Sequence, residues 1–159
     1  MKWSKLGNPI LKSLLLSGAL FLAGFSCHEG VRSDLPVVPL SLGGKEIQVE
    51  VANKISTRET GLMFRKEMAS NSGMLFVFPD SAPRAFWMKN TPLPLSIAFM
   101  DERGVILNIL EMPPETETSF FSNGKAKYAL EMNSGWFDKN RLKPGDKVGG
   151  LVAAPGAVE

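Results

Sequence analysis

Apolar and polar side chains alternate in the segment IQVEV (47–51), and a period of two is typical of a half-buried β-strand. The segment PVVPLSL (36–42) lies just before it, and Gly43-Gly44 joins the two segments. Paired glycines accept the positive φ angles of a tight hairpin turn. The pattern therefore predicts a first β-hairpin.

A helix is predicted after this hairpin. The run Ser56-Thr57-Arg58-Glu59 matches a capping box, in which the side chains of Ser56 and Glu59 satisfy backbone amides at the start of a helix. The predicted helix extends to about Met68, and Gly61 weakens it by about 1 kcal/mol relative to alanine. The turn residues at 71–73 end the segment.

Short apolar segments separated by turn residues follow, as expected for consecutive strands. The predicted strands are Met74–Phe78, Ala85–Lys89, Leu95–Met100, Val105–Met112, Tyr128–Met132 and Lys147–Ala153. Many short strands with one short helix predict a mainly β fold, either a small β-barrel or a β-sandwich. We expect one β-rich domain over residues 37–153, preceded by a polar tether (27–36) and followed by a C-terminal tail (154–159).

The first 26 residues have the layout of a secretory signal peptide. Three lysines precede an apolar run from Leu14 to Phe25, and small residues close that run. The run is shorter than the roughly 20 apolar residues that a membrane-spanning helix needs. We therefore expect residues 1–26 to be removed.

Cys27 is the only cysteine, and two cleavage alternatives depend on it. An ordinary signal peptidase would cut after Ser26 and release a soluble periplasmic or secreted protein. Alternatively, the segment resembles a bacterial lipoprotein signal, in which the cysteine becomes the lipidated first residue, although a leucine three places before it is missing. A lone cysteine in an exported chain favours lipidation of Cys27. The expected localisation is the cell envelope, with the membrane contacted through this lipid.

The net charge of the mature chain bears on whether the protein binds nucleic acid. The chain has 18 basic and 16 acidic residues, and three of its lysines lie within residues 1–26. The mature chain therefore carries 15 basic and 16 acidic residues, a formal charge of −1. Nucleic acid binding needs a clustered basic surface, so it is disfavoured.

Three short motifs stand in one span: GLMFR (61–65), GMLFVF (73–78) and FWMKNTPLPLSIAF (86–99). With LEMNSGW (130–136) and PGD (144–146), they resemble the family named domain of unknown function 192, DUF192. The resemblance covers residues 47–149. It implies a compact β-rich barrel or sandwich, often exported, and it implies no established activity.

One position departs from that family. The family commonly carries an acid after the Pro-Leu pair where this chain has Ser96. A serine cannot replace a charge that a ligand or a reaction needs. The departure favours a binding role over a catalytic one.

A candidate ligand-binding face combines fixed polar groups with aromatic surface. An arginine offers a planar fork for a carboxylate or phosphate, and a tryptophan offers a flat stacking wall. The predicted site residues are Arg65, Trp87, Lys89, Asn90 and Glu131. The alternative is structural: Trp87 is core, Arg65 pairs with Glu131, and Asn90-Thr91 makes a turn before Pro92.

Catalytic constellations are few. The only histidine, His28, lies in the predicted tether, so a Ser-His or Cys-His arrangement and a histidine-based zinc site are excluded within one chain. Paired carboxylates could act as general acid and base, with Glu131 joined by Asp101 or Glu111. The last two lie in turn-like surroundings, which favours solvated positions for them.

The mature chain is rich in methionine, and thioethers in an exported protein can bind Cu(I). The seven residues are Met63, Met68, Met74, Met88, Met100, Met112 and Met132. Their scattering through strand-like segments favours the alternative that they fill gaps in the core.

Three functions remain open. The first is a non-enzymatic envelope module that binds a small polar or anionic ligand, carbohydrate among the candidates. The second is a carbohydrate-active hydrolase that uses Glu131 as acid or base. The third is a lipid-tethered protein-interaction domain with an exposed apolar patch.

Overall fold

The computed structural model describes residues 34–159. Within this range, strands predominate and the helices are short. The elements are β1 (Val37–Leu42), β2 (Lys45–Ala52), α1 (Ile55–Thr60), β3 (Ser72–Ala82), β4 (Ala85–Phe86), β5 (Leu95–Met100), β6 (Ile106–Met112), β7 (Phe120–Phe121), β8 (Ala126–Asn133), α2 (Trp136–Lys139) and a 3-10 helix (Leu151–Ala153).

Six strands form one sheet in the order β1-β2-β3-β8-β5-β6, and β4 pairs with β7 separately. The neighbours β2 and β3 are parallel, and the other pairs are antiparallel. A parallel pair needs a long crossover, and α1 lies in this one. The mainly β prediction is confirmed, and the sheets resemble a sandwich and do not close into a barrel.

Both faces of the large sheet are covered. The first core packs alternate side chains of every strand of the sheet together with α2, and it includes Leu40, Val49, Leu75, Leu130, Met132 and Phe137. The second core packs the opposite face, and it includes Met74, Phe76, Met88, Ile97, Phe99 and Ala129. Strands buried on both faces lose the period of two and become continuous apolar runs. This is why all six residues of β5 are buried.

The first hairpin and β5 lie where the sequence predicts them, but the predicted helix is wrong in extent. It begins at Ile55 and ends at Thr60 instead of reaching Met68. The backbone N–H of Lys54 donates to Thr57 Oγ1 at 3.1 Å, so the predicted pairing of Ser56 with Glu59 does not form the cap. The helix ends because Gly61 takes a φ of +48°, which is outside the right-handed helical region.

Two predicted strands differ from the structure. The strand predicted for Ala85–Lys89 stops at Phe86, and the chain then turns through Met88 to Thr91. The strand predicted for Lys147–Ala153 is replaced by isolated bridges and a 3-10 helix. Gly150, with a φ of +88°, breaks the extended conformation there.

The C-terminal segment packs along the edges of the sheet. Gly149 bridges to Ser41 beside β1, and Lys147 bridges to Val105 beside β6. Farther along, Val158 bridges to Lys54 at the start of α1. Residues 147–159 therefore contact the outer strands as well as the crossover.

The predicted signal peptide (1–26), the lipidation at Cys27 and most of the predicted tether lie outside the described residues. In the part of the chain that the structure does describe, none of the helices has the length and apolar character needed to cross a membrane.

Candidate functional site

A pocket of about 460 Å³ opens beside α1, between the second half of β3 and β4. Its wall is aromatic, with Phe76, Phe78, Phe86 and Trp87, and its polar groups come from several elements. The charged residues of the lining are Arg58, Glu59, Arg84, Glu131 and Glu159. Of the five residues that the sequence predicted for the site, Trp87 and Glu131 line this pocket, whereas Arg65, Lys89 and Asn90 do not.

Glu131 stands on β8 in the middle of the large sheet. Its register neighbours are Met74 on β3 and Ile97 on β5, so its side chain lies on the face of the second core. The residue is only 4% exposed. No other residue between 34 and 159 forms a hydrogen bond or an ion pair with its carboxyl group. Its side chain is one of those that line the pocket.

The surroundings of Glu131 change its protonation. Burial raises the pKa of Glu131 from its ordinary value of 4.5 to about 8, because the carboxylate loses its water. At neutral pH the group is therefore a carboxylic acid, which both donates and accepts a hydrogen bond. Strongly perturbed groups in a cleft are frequent at functional sites.

The aromatic wall is built from edge-to-face contacts. The ring of Phe86 meets that of Phe76 at a centroid distance of 4.8 Å and that of Phe78 at 6.3 Å. Such packing fixes the rings and leaves a flat apolar surface. Trp87 is 48% exposed, so the structural alternative that made it a core residue is wrong. Its ring has Lys89 Nζ at 5.2 Å, a cation–π contact outside the pocket lining.

Two arginines lie against the same ring, that of Phe78. The guanidinium carbon of Arg84 is 4.1 Å from the ring centroid, and that of Arg58 is 5.7 Å away. Arg84 donates to the carbonyl and the carboxylate of Asp80, and the side-chain bond lowers the pKa of Asp80. Arg58 Nη1 donates to the carbonyls of Asn53 at 2.7 Å and Val77 at 3.2 Å. These bonds anchor both cations beside the pocket.

Arg65 belongs to a different cluster. It forms a two-pronged ion pair with Glu50, at 2.5 Å and 2.7 Å, and the hydrogen bond raises the pKa of Arg65. The structural alternative that paired Arg65 with Glu131 is therefore wrong. Glu50 and Glu131 lie in one row across the sheet with Met74 between them, so their backbones are about 10 Å apart. That spacing separates Arg65 from the pocket carboxyl.

Asn90 makes the turn that the structural alternative predicted. Its φ is +55°, and its carbonyl accepts a hydrogen bond from the Phe64 N–H at 2.7 Å. Thr91, the next residue, is 4% exposed, lines the pocket and donates from Oγ1 to the Lys89 carbonyl at 3.2 Å. The motif FWMKNT thus contributes to the pocket through Trp87 and Thr91.

The other two predicted carboxylates do not meet Glu131. Ser96 Oγ donates to Glu111 at 2.6 Å and accepts from the Gly135 N–H at 2.8 Å. Ser96 is in register with Met132 and faces the first core, so this cluster lies across the sheet from the pocket. Asp101 accepts backbone N–H groups in its own turn. Ser96 therefore lies outside the pocket lining.

Five of the seven methionines are buried in the two cores. Met100 and Met132 are buried in the first core, and Met74, Met88 and Met112 are buried in the second. This packing fits the alternative of gap-filling side chains. Among the described residues, no group of three or more His, Cys, Asp or Glu side chains is placed to hold a metal ion.

Sequence reasoning missed Arg58 and Arg84. Arg58 lies within the predicted capping box, and Arg84 precedes the motif that begins at Phe86. Neither has a local pattern that marks a pocket, because the fold brings them together from α1 and the β3–β4 connection. The one available signal was the aromatic content of FVFPDSAPRAFW (76–87), which surrounds Arg84 in the chain.

Comparisons place this fold among known structures. A protein from Sinorhizobium meliloti, described as a candidate transcription regulator, is 35% identical, with a TM-score of 0.72 over 76% of this chain and 98% of its own. A protein of unknown function from Novosphingobium aromaticivorans is 34% identical, with a TM-score of 0.71 over 73% of this chain and 86% of its own. No curated protein matches the chain significantly.

The family model that matches the chain is the one that the sequence motifs resemble. The profile of DUF192, described as an uncharacterized ACR, matches residues 38–150. This range contains the three motifs, the large sheet except for Val37 and every pocket residue except Glu159. The chain therefore belongs to the DUF192 family.

Proposed function

We propose that this protein is a small-ligand-binding module and that the pocket beside α1 is its binding site. The ligand is polar or anionic, and carbohydrates are one candidate class. The observation that carries the proposal is the Glu131 carboxyl, which is buried, lacks a partner among residues 34–159 and opens onto an aromatic cavity. A buried polar group without a partner costs stability, and a bound ligand would supply the missing hydrogen bond.

The size and lining of the cavity support this function. Its volume of about 460 Å³ lies within the roughly 300–1,000 Å³ of small-molecule sites. Such sites combine apolar and aromatic walls with a few fixed polar groups. Here the rings of Phe78, Phe86 and Trp87 supply the wall, and Glu131 and Thr91 supply polar groups.

A blocking substitution tests the site. Ala85 is exposed and lines the pocket, so Ala85→Trp should fill the opening without disturbing either core. We would measure Tm for the full chain against small carboxylates, sugars and nucleotides. A ligand at a hundred times its Kd stabilises a fold by about 2.7 kcal/mol, which shifts Tm by several degrees.

The matched control is Ala153→Trp, an exposed alanine in the 3-10 helix outside the pocket lining. We expect a stabilising ligand to lose its effect with Ala85→Trp and to keep it with Ala153→Trp. Equal stabilisation of both variants would place the binding elsewhere, and the absence of any stabilising compound would contradict a small-ligand function.

A second candidate function, acid catalysis on an envelope glycan, is favoured by one observation. A general acid must hold its proton at working pH, and burial keeps Glu131 protonated up to about pH 8. Glu131→Gln would then abolish glycan turnover by the full chain. Undiminished turnover in that variant would remove Glu131 from the reaction.

We also propose that the protein acts at the cell envelope and is held to the membrane by lipid on Cys27. The support is the sequence alone: three lysines, an apolar run and a lone cysteine. Cys27→Ser should move the protein from the membrane fraction to the soluble fraction. Unchanged membrane association would contradict lipid attachment at this residue.

A further inference from the structure

The segment before Glu159 is fixed alongside the start of α1. Asn53 Nδ2 donates to the Gly156 carbonyl at 2.8 Å, and the Asn53 carbonyl accepts from the Val158 N–H at 2.8 Å. Asn53 itself is buried. These bonds place the next side chain, that of Glu159, at the pocket, which it lines.

The Glu159 carboxylate points at Arg58. Its Oε1 lies 3.7 Å from Arg58 Nη2, a distance that allows charge attraction and exceeds a hydrogen bond. The Glu159 side chain is 66% exposed. An exposed ion pair of this kind contributes little stability, so another anion can replace it.

Arg58 is prepared for such an anion. Its Nη1 is held by two backbone carbonyls, and its side chain is 11% exposed. Its Nη2 makes no hydrogen bond to any residue between 34 and 159, and its ion-pair contact there is with Glu159. An anchored guanidinium loses little freedom when it binds a carboxylate.

The placement of the two arginines argues against a cationic ligand at the aromatic wall. Aromatic rings attract cations through their faces, but Arg58 and Arg84 already lie over the Phe78 ring. The carboxyl of Glu131, deeper in the pocket, can donate a hydrogen bond to an oxygen of the ligand. The apolar part of the ligand would lie against Phe86 and Trp87.

We propose that the pocket selects small carboxylates and that the Glu159 side chain holds the carboxylate position at Arg58 until such a ligand displaces it. This inference rests on the proposed function, because it names the ligand class of the same pocket. Glu159 thus acts as an internal competitor: it keeps Arg58 neutralised in the free protein and lowers the apparent affinity for carboxylates.

Paired probes test the ligand class. We would titrate the full chain calorimetrically with aliphatic and aromatic carboxylates, such as acetate, benzoate and phenylacetate, and with the neutral amide of each. We expect the best carboxylate to bind at least tenfold more tightly than its amide. Arg58→Gln should reduce carboxylate binding to the level of the amide, and Arg58→Lys should retain part of it.

Glu159→Gln tests the competition independently of Arg58. It should raise the affinity for carboxylates a few-fold and leave the affinity for amides unchanged. The matched control is Glu117→Gln, an exposed glutamate outside the pocket lining, which should change neither. Unchanged carboxylate affinity in Glu159→Gln would overturn the competitor role.

The outcomes separate the two proposals. If neutral compounds bind the pocket as tightly as carboxylates, the ligand class is wrong and the binding-module function stands. If no compound of either kind binds, and the wider thermal panel also finds none, both proposals fall.

Discussion

Among single residues, Glu131 matters most to the proposed binding site. A carboxyl group in the central strand of a sheet is costly to bury, and the pocket explains how it is accommodated. Its side chain lines the cavity, and its register neighbours on the same face of the sheet are Met74 and Ile97. Burial of this carboxyl group lowers the stability of the fold, and its place in the pocket lining allows it to contact the proposed ligand.

The pH dependence of stability tests the protonation of Glu131. Its pKa is about 8 in the folded chain against an ordinary 4.5. Between these pH values the folded state keeps a proton that the unfolded state has lost. The contribution of Glu131 to the free energy of unfolding is therefore fully present below pH 4.5 and is lost as pH rises through 8.

Glu131→Gln removes this dependence. We expect its free energy of unfolding to exceed that of the wild type by a margin that grows by about 1.4 kcal/mol per pH unit from pH 5 to 8. At pH 7 the margin should be on the order of 3 kcal/mol. Urea unfolding of both chains at several pH values measures it. Parallel profiles for the two chains would contradict a raised pKa.

Arg65 has a structural role at the same scale. Its ion pair with Glu50 is about four-fifths buried on each side, so Arg65→Ala should lower the free energy of unfolding by about 1–3 kcal/mol. Ligand affinity should not change, since Arg65 lies outside the pocket. Denaturation and calorimetry of one sample give both values. Loss of affinity without loss of stability would return Arg65 to the site.

The sequence could identify part of the site, for a local reason. Glu131 stands among apolar residues in YALEM (128–132), which marks an unusual acid from the chain alone. Arg65, Lys89 and Asn90 were selected because they lie near aromatic residues in the chain. Contact with the pocket depends instead on tertiary placement, and that is why Arg58 and Arg84 were not found.

At the scale of elements, tight packing of β3 against β8 positions Glu131. A Cβ atom on Gly73 would overlap the Glu131 carbonyl oxygen and Met132 Sδ. The thioether can move, but the carbonyl belongs to a backbone ladder and cannot. Glycine at this position therefore allows the close approach of the two strands.

Gly73→Ala should consequently destabilise the fold by about 1–3 kcal/mol, the usual cost of overpacking. Gly156→Ala is the matched control, because a Cβ there meets no atom within 4 Å. We expect the control to stay within about 0.5 kcal/mol of the wild type. Equal stabilities of the two variants in urea would mean that the strands can separate without cost.

Strands and helices were predictable from the sequence where the local hydrophobic pattern matches the burial of the element in the fold. The IQVEV hairpin has one buried face, so its alternation survives, and β5 is bounded by clear turn residues. The extent of α1 was not predictable from Ser56 and Glu59, because Gly61 ends it early. The two-residue strand β7 depends on pairing with β4, which the sequence does not record.

In the molecule as a whole, the two faces of the large sheet differ, because only the second face carries the pocket. Its first face carries a core that packs α2 and the C-terminal segment. Its second face carries the other core and, at the end of β3, the pocket. A binding site at the end of a strand of a covered sheet can vary in its loops without loss of the fold.

A residue-resolved titration tests directly whether the pocket beside α1 is the ligand-binding site. We would titrate the full chain with the carboxylate and sugar panel and follow backbone amide shifts in 1H–15N NMR spectra. We expect the largest shifts on pocket residues such as Gly61, Phe78, Phe86 and Thr91. Shifts concentrated around Arg65 and Glu50, or no shift with any compound, would contradict the pocket as the functional site.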